Sequence, residues 1–263
     1  MIYLKTDDEI ELLRKANLLV SATLCEIAKI VEPGVTTRQL DTLAEQFIRD
    51  HGAVPTFKGF PNPYGDPFPA SICTSVNEVV VHGIPDDTPL KDGDIVSVDC
   101  GTFIDGFCGD SCYTFCVGEV KQEVLDLLAA TKQSLYLGIE QAIAGHRLGD
   151  IGYAVQTHCE KLGYGVVREF VGHGIGHEMH EDPFLFNYSV GDNTLIKLNT
   201  AIAIEPMITL GSHELLMLPD HWGVVTRDGS PAAHFEHTIA IHHGKADILS
   251  SFEEIEKIER QKN

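Results

Sequence analysis

Positive charge is scarce in this chain: 19 Lys and Arg stand against 39 Asp and Glu, for a net charge of −20, and no basic run occurs. Gripping nucleic-acid phosphates or an anionic membrane requires a local surplus of Lys and Arg, so neither is expected as a partner. Long apolar runs are also missing. None reaches the roughly 18 residues of a spanning helix, and the opening MIYLKTDDEIELLRKA turns charged before a signal-type region could form. A cytoplasmic protein without a membrane partner is expected. Seven cysteines, an odd number in a long chain, suit a reducing compartment better than a disulfide scaffold. No CxxC pair exists among them. Although Cys100, Cys108, Cys112 and Cys116 crowd together, the even spacing of the last three places them as small side chains on one strand face, not as a zinc knuckle. Other signatures fail as well. GxSxG and GxxxxGK are absent, His177 stands where GxGxxG needs glycine, and Glu181 stands where HExxH needs histidine. Serine-hydrolase, nucleotide-phosphate, dinucleotide and zincin chemistry thereby lose their footing.

The 263 residues, 43% of them apolar, can bury a full core as one large domain or two small ones. Thr6 and Glu9 form a capping box ahead of Ile10, Leu13, Ala16, Val20 and Leu24 at helical spacing, which predicts a helix from about 7 to 31. Pro33 and Gly34 end it, and Thr37 opens a second amphipathic helix that stops at Gly52. Residues 55–69 hold five prolines, two glycines and four aromatics. That segment is expected to be a loop, and its apolar content suits a pocket wall. DIVSVDCG (94–101), the turn residues Asp105 and Gly106, and a run from Asp110 to Val117 predict a hairpin. Helical segments follow at about 120–144 and 149–162, then further short strands.

This order repeats. Residues 34–52 resemble residues 145–163, with Gly34 matching Gly145 and Gly52 matching Gly163, and KDGDIVSVD (91–99) resembles KLNTAIAIE (197–205), with Asp99 over Glu205. Two pseudo-symmetric halves of roughly 7–118 and 120–245 are expected within one α+β domain spanning 1–263.

Strand alternation turns Asp99 and Glu205 away from the apolar pairs Val96/Val98 and Ile202/Ile204, as on a cavity wall. A turn at Asp105–Gly106 sets Asp110 opposite Gly101 or Asp99, in either register on the face of Asp99. Carboxylates so placed stay ionised cheaply only with a cation between them. His173, between two glycines in VGHGIGHEMH, is the best single ligand candidate. Glu236 lies in the strand-like run HFEHTIAI from His234 to Ile241. Asp99, Asp110, His173, Glu205 and Glu236 form an oxygen-rich set suited to two divalent ions.

Five motifs in order, NEVVVHGIP (Asn77–Pro85), Asp99 with Asp110, GHGIGHEMH (Gly172–His180), IEPM (Ile204–Met207) and FEHT (Phe235–Thr238), make the chain similar to type I methionine aminopeptidases almost end to end. That resemblance implies a pita-bread fold (the creatinase/aminopeptidase fold: pseudo-symmetric halves, antiparallel sheet, covering helices) around two divalent ions of cobalt, manganese, iron or zinc. It implies removal of the initiator methionine from nascent chains whose second residue is small, by metal-hydroxide attack on the first peptide bond. Asp99 would chelate one ion, His173 and Glu205 the other, with Asp110 and Glu236 bridging. Glu205 would also carry the proton to the leaving amine, His180 would bind the oxyanion, and His82 would position the peptide nitrogen. The substrate amine would sit beside Asp99. Phe60, Phe68, Cys73 and Trp222, with Phe57 as a further candidate, would wall the methionine pocket. His177 and His237 are expected to be structural. The chain departs from the family in a longer stretch between Phe60 and Phe68 and in His213–His221. The implied partners are nascent N-termini, with proximity to the ribosome, and the implied state is a monomer. A proline-specific peptidase of the same architecture carries a large N-terminal domain, whereas the first ligand here is residue 99. A non-enzymatic binding module of this fold would be expected to have lost ligands, and all five are present. A type II enzyme needs a helical insertion for which His173–Glu236 leaves little space.

Overall fold

The computed structural model describes residues 1–262. Helix α1, Asp7–Ile30, starts at the predicted box: Thr6 Oγ1 accepts from Glu9 N, and Thr6 N donates to Glu9 Oε2 at 2.7 Å. It buries Ile10, Leu13, Ala16, Val20, Leu24 and Ile27 along one stripe. Helix α2, Thr37–Asp50, opens at Thr37 as expected and is capped by Thr36 with Gln39. Thr37 is freed to accept from Asp86 N at 2.8 Å, which ties the helix to the loop after the first short strands. Helices α3, Gln122–Gln141, and α4, Leu148–Lys161, match their predicted places. A fifth helix, α5, Glu253–Lys262, was not foreseen. It seats Ile255 in the core, and Tyr113 donates to Glu259 at 2.6 Å.

Two long strands, Ile95–Ile104 and Phe107–Cys116, form the central hairpin, the second starting three residues before the sequence suggested. Asp105 and Gly106 both take positive φ, as a tight primed turn demands. Their register sets Gly101 opposite Asp110 and Asp99 opposite Cys112, which settles the choice left open by loop length. Helix α1 lies against this hairpin so closely that a Cβ on Gly109 would come within 2.5 Å of the Ala16 backbone. Asn17 in the same helix accepts from Asp110 N at 3.1 Å.

A second sheet orders its strands as Ala246–Ile248, His237–Ile241, Ala201–Ile204, Gly172–Gly174 and Glu181–Leu185. Here the structure corrects two expectations. The run His234–Ile241 is not one strand: Ala232–His234 and His237–Ile241 are separated at Phe235–Glu236. Likewise Ala201–Ile204 and Met207–Thr209 are separated at Glu205–Pro206, so Glu205 lies just beyond its strand and not in its alternation. Pro206 lacks the N–H that a ladder needs there. The register is unchanged across the double break, with Ile204 opposite His237 before it and Met207 opposite His234 after it. Glu205 is thus set opposite Glu236.

The hairpin and the broken pair are stitched together at this point. Glu236 N donates to Cys112 O at 2.9 Å, Ser111 Oγ to Glu236 O at 2.6 Å, and Thr238 Oγ1 to Asp110 O at 2.9 Å. One apolar cluster runs from Leu24, Leu40 and Val98 to Leu135, Ile151 and Ile204, tying both helix pairs to the sheets. No helix among the described residues is long and apolar enough to cross a membrane.

Candidate metal centre

The sheets meet at a cavity of about 260 Å³. Asp99, Asp110, His173, Glu205 and Glu236 all line it, so the structure brings the five predicted ligand residues to one place. Ligand atoms of Asp110, His173 and Glu236 lie within 4.8 Å of one another. His173 Nε2 stands 3.4 Å from Glu205 Oε1 and 3.6 Å from Asp110 Oδ2. The glycines beside His173 are required by crowding: a Cβ on Gly172 would lie 2.4 Å from Ala203 O, and one on Gly174 2.2 Å from Asp182 O.

The chemistry of this donor set fits divalent cations. His173 Nδ1 lies 3.0 Å from Gly174 O, which can only accept, so the ring proton belongs on Nδ1 and Nε2 presents a lone pair. That lone pair faces carboxylate oxygens, an all-acceptor cluster that repels itself unless a cation lies within it. Burial, and then the neighbouring acids, push the Asp99, Glu205 and Glu236 carboxyls well above the ordinary carboxylate range, and burial does the same to Asp110. Asp99 Oδ1, Asp110 Oδ1 and Glu236 Oε1 are buried without a hydrogen-bond partner. Two unit charges about 5 Å apart repel by roughly 3 kcal/mol at an effective dielectric constant near 20. Several such pairs rival the whole stability of a domain, about 5–15 kcal/mol. Among the described residues, no lysine or arginine lines the cavity to offset this charge.

The cysteines offer no rival centre. All seven are free thiols, and burial pushes Cys108 up to about 12 and Cys116 to about 11, the wrong direction for thiolate ligands.

Away from the acids the wall turns apolar. Phe60, Phe68, Cys73 and Trp222 all line the cavity, as does Phe57 from the Pro-rich loop. Phe68 and Trp222 meet edge to face at 5.1 Å, and Trp222 Nε1 donates to Asp66 O at 3.0 Å, joining the loop to the tryptophan. Between the acids and this wall stand His82 and His180. The His180 ring lies 4.5 Å from that of His173 and 5.6 Å from that of Phe60. His82 has a positive φ of 58°, which turns its side chain inward from the end of Val79–Val81 to meet Phe170 edge to face at 5.3 Å. Burial, then His180, lowers His82 to about 4, so its ring is neutral near pH 7. His177 is exposed, its Nδ1 2.8 Å from Gly106 O, and His237 stacks on Phe252 with Nδ1 2.6 Å from Ser250 Oγ. Both have structural partners and neither lines the cavity.

Sequence reasoning missed His234, Phe170, Val171, Glu169 and Val81, which also line the cavity. His234 stands two residues before Glu236, but the strand ends between them, so strand alternation does not account for their shared cavity.

A cluster of buried acids and one histidine at the seam of two sheets, opening onto an apolar pocket, defines a metal-dependent hydrolase built to hold more than one ion. The chain matches the model of metallopeptidase family M24 over residues 11–243. It belongs to that family. It is 48% identical to a methionine aminopeptidase of Clostridium acetobutylicum over 252 residues, covering 95% of this chain and 99% of the relative. The crystal structure of methionine aminopeptidase from Rickettsia prowazekii superposes with a TM-score of 0.91 at 41% identity, covering 95% of this chain and all of that one. Prolidase from Pyrococcus furiosus superposes with a TM-score of 0.77 at 20% identity, and this chain covers only 65% of it. That last likeness is one of fold alone. The fold is the pita-bread fold of this family.

Proposed function

We propose that the protein removes N-terminal methionine from polypeptides whose second residue is small, as a dinuclear metal-dependent aminopeptidase. The observation that carries this is that one cavity joins the cluster of buried acids and His173 to a wall of Phe57, Phe60, Phe68, Cys73 and Trp222. Divalent ions bound there would supply Lewis-acid polarisation of the first peptide carbonyl and a lowered pKa for water. Asp99 would hold one ion, His173 and Glu205 the other, and Asp110 and Glu236 would serve both. Manganese, iron, cobalt and zinc all accept such ligands.

The remaining steps belong to the side chains. Phe60, Phe68, Cys73 and Trp222 take up the methionine side chain, whose thioether packs well against aromatic edges. The free amine of the substrate binds beside Asp99, which confines cleavage to the first residue. His180 donates to the carbonyl oxygen as charge develops there. His82, kept neutral by burial, positions the peptide nitrogen, and Glu205 passes a proton to it as the amine leaves. Phe170, edge to face with His82, lines the same cavity.

The substrates are polypeptide N-termini. Newly made chains are the natural source, and we read the protein as a cytoplasmic monomer that works close to ribosomes without gripping their RNA. The surplus of acidic residues and the seven free thiols support that placement. The α1–α2 and α3–α4 pairs, each followed by strands that deliver two carboxylates, support one catalytic domain of two pseudo-symmetric halves.

A peptide panel tests the function. Protein reconstituted with manganese should release methionine from Met-Ala-Ser and release little from Met-Lys peptides or an N-acetylated analogue. Chelation should abolish release and re-addition of metal should restore it. Full activity after chelation would overturn the proposal.

A further inference from the structure

His234 is a buried group with no assigned task. It is 2% exposed, and its Nε2 lies in the cavity wall without a hydrogen-bond partner. Unpaired polar atoms this deep are rare and call for an explanation. The backbone around it is fixed. His234 N donates to Thr114 Oγ1 at 3.0 Å, Thr114 Oγ1 donates back to His234 O at 2.7 Å, and Ser97 Oγ lies 2.8 Å from the same hydroxyl. These bonds fix the backbone from which the ring reaches the cavity, and burial confines the ring itself.

A polar group it faces is Glu205, whose Oε2 lies 3.7 Å from His234 Nε2 while Oε1 lies 3.4 Å from His173 Nε2. The two imidazoles are not equivalent. His173 has its proton on Nδ1, bonded to Gly174 O, and can offer Glu205 only a lone pair. A neutral His234 still carries one N–H, and Nε2 can present it. A shift of less than about 1 Å brings that contact to the ~2.9 Å of an N–H···O bond.

Given Glu205 as ligand and proton carrier, as proposed above, we infer that His234 is a positioning residue for it. Its Nε2–H holds Oε2 and so keeps Oε1 turned to the His173 side. Partners of this kind fix the orientation of a ligating carboxylate and are worth about 10–100-fold in metal affinity or activity. No proton changes hands: His234 acts as a fixed donor.

The test compares His234→Leu, which removes the donor, with His234→Gln, whose amide nitrogen can donate from nearly the same place. Each is checked for fold by circular dichroism, titrated metal-free with Mn²⁺ by calorimetry, and assayed on Met-Ala-Ser. The Leu variant should bind Mn²⁺ more weakly and lose about 10–100-fold in kcat, with KM changed by no more than about twofold. The Gln variant should recover most of both losses. A Leu variant with unchanged Mn²⁺ affinity and kcat overturns the inference, as does a loss confined to KM, which marks a substrate contact. A Gln variant whose Mn²⁺ affinity falls about 10–100-fold below that of the unmodified protein also overturns it, and that readout stands even if the Leu variant does not fold. Unmodified protein that releases no methionine would instead overturn the function itself.

Discussion

Asp99 and Asp110 reach the cavity from an unbroken ladder of two ten-residue strands, whereas Glu205 and Glu236 reach it from a place where two paired strands both stop. The first pair is held by a local turn, and its carboxylates project from a regular face. The second is held by pairing between distant segments, and its carboxylates occupy the gap that Pro206 opens in the ladder. A rigid wall and an interrupted one together let four acids point at one volume. A single regular sheet would spread them along a face at fixed spacing.

Removing one acid from the rigid wall should have the largest effect. Asp110→Asn keeps the backbone bonds to Asn17 and Thr238, so the fold should survive. Turnover on Met-Ala-Ser should fall by at least about 100-fold. The metal-free variant should melt no lower than the unmodified protein at pH 7, because a crowded carboxylate has become a neutral amide. Surviving turnover would remove Asp110 from the bridging position.

A smaller effect is expected where His173 is seated. Gly174→Ala forces a methyl against Asp182 O, and overpacking of this kind costs about 1–3 kcal/mol. Chemical denaturation should show that loss together with weaker Mn²⁺ binding. Unchanged metal affinity would show that the neighbouring strand gives way without moving His173.

The smallest effect is a pH dependence. In the metal-free protein the four raised carboxyls stay protonated above the pH at which the unfolded chain ionises them, so their stabilising contribution is full at acid pH and lost as pH rises through the raised values. His82 and His173, lowered to about 4, and His234, to about 3, work the other way: their contribution is present above about 6.5 and lost as pH falls toward those values. Divalent ions compete with the carboxyl protons, so the rise in melting temperature on adding Mn²⁺ should be larger at pH 8 than at pH 5.5. Scanning calorimetry at both pH values measures it, and a gain independent of pH would contradict the acids as ligands.

The helices and the central hairpin were legible because their signals are local: Thr6 with Glu9, the stripe from Ile10 to Leu24, and the turn at Asp105–Gly106. The approach of the five ligand residues was legible from type and spacing. The double break at Glu205 and Glu236 was not, because it depends on pairing between segments that are neighbours only in space. Helix α5 escaped for a related reason. Its sequence is rich in charge, and it is held by Ile255, Phe252 and Glu259 docking onto distant elements. His234 lay two residues before a recognised acid, but its role depends on a Glu205 oxygen brought to it by register.

The central claim is that five side chains hold a pair of divalent cations. Elemental analysis after reconstitution with excess Mn²⁺ and brief desalting tests it most directly. Two ions per chain are expected in the unmodified protein, with occupancy lost in Asp110→Asn. A metal-free product, or the same metal content in both proteins, would contradict it.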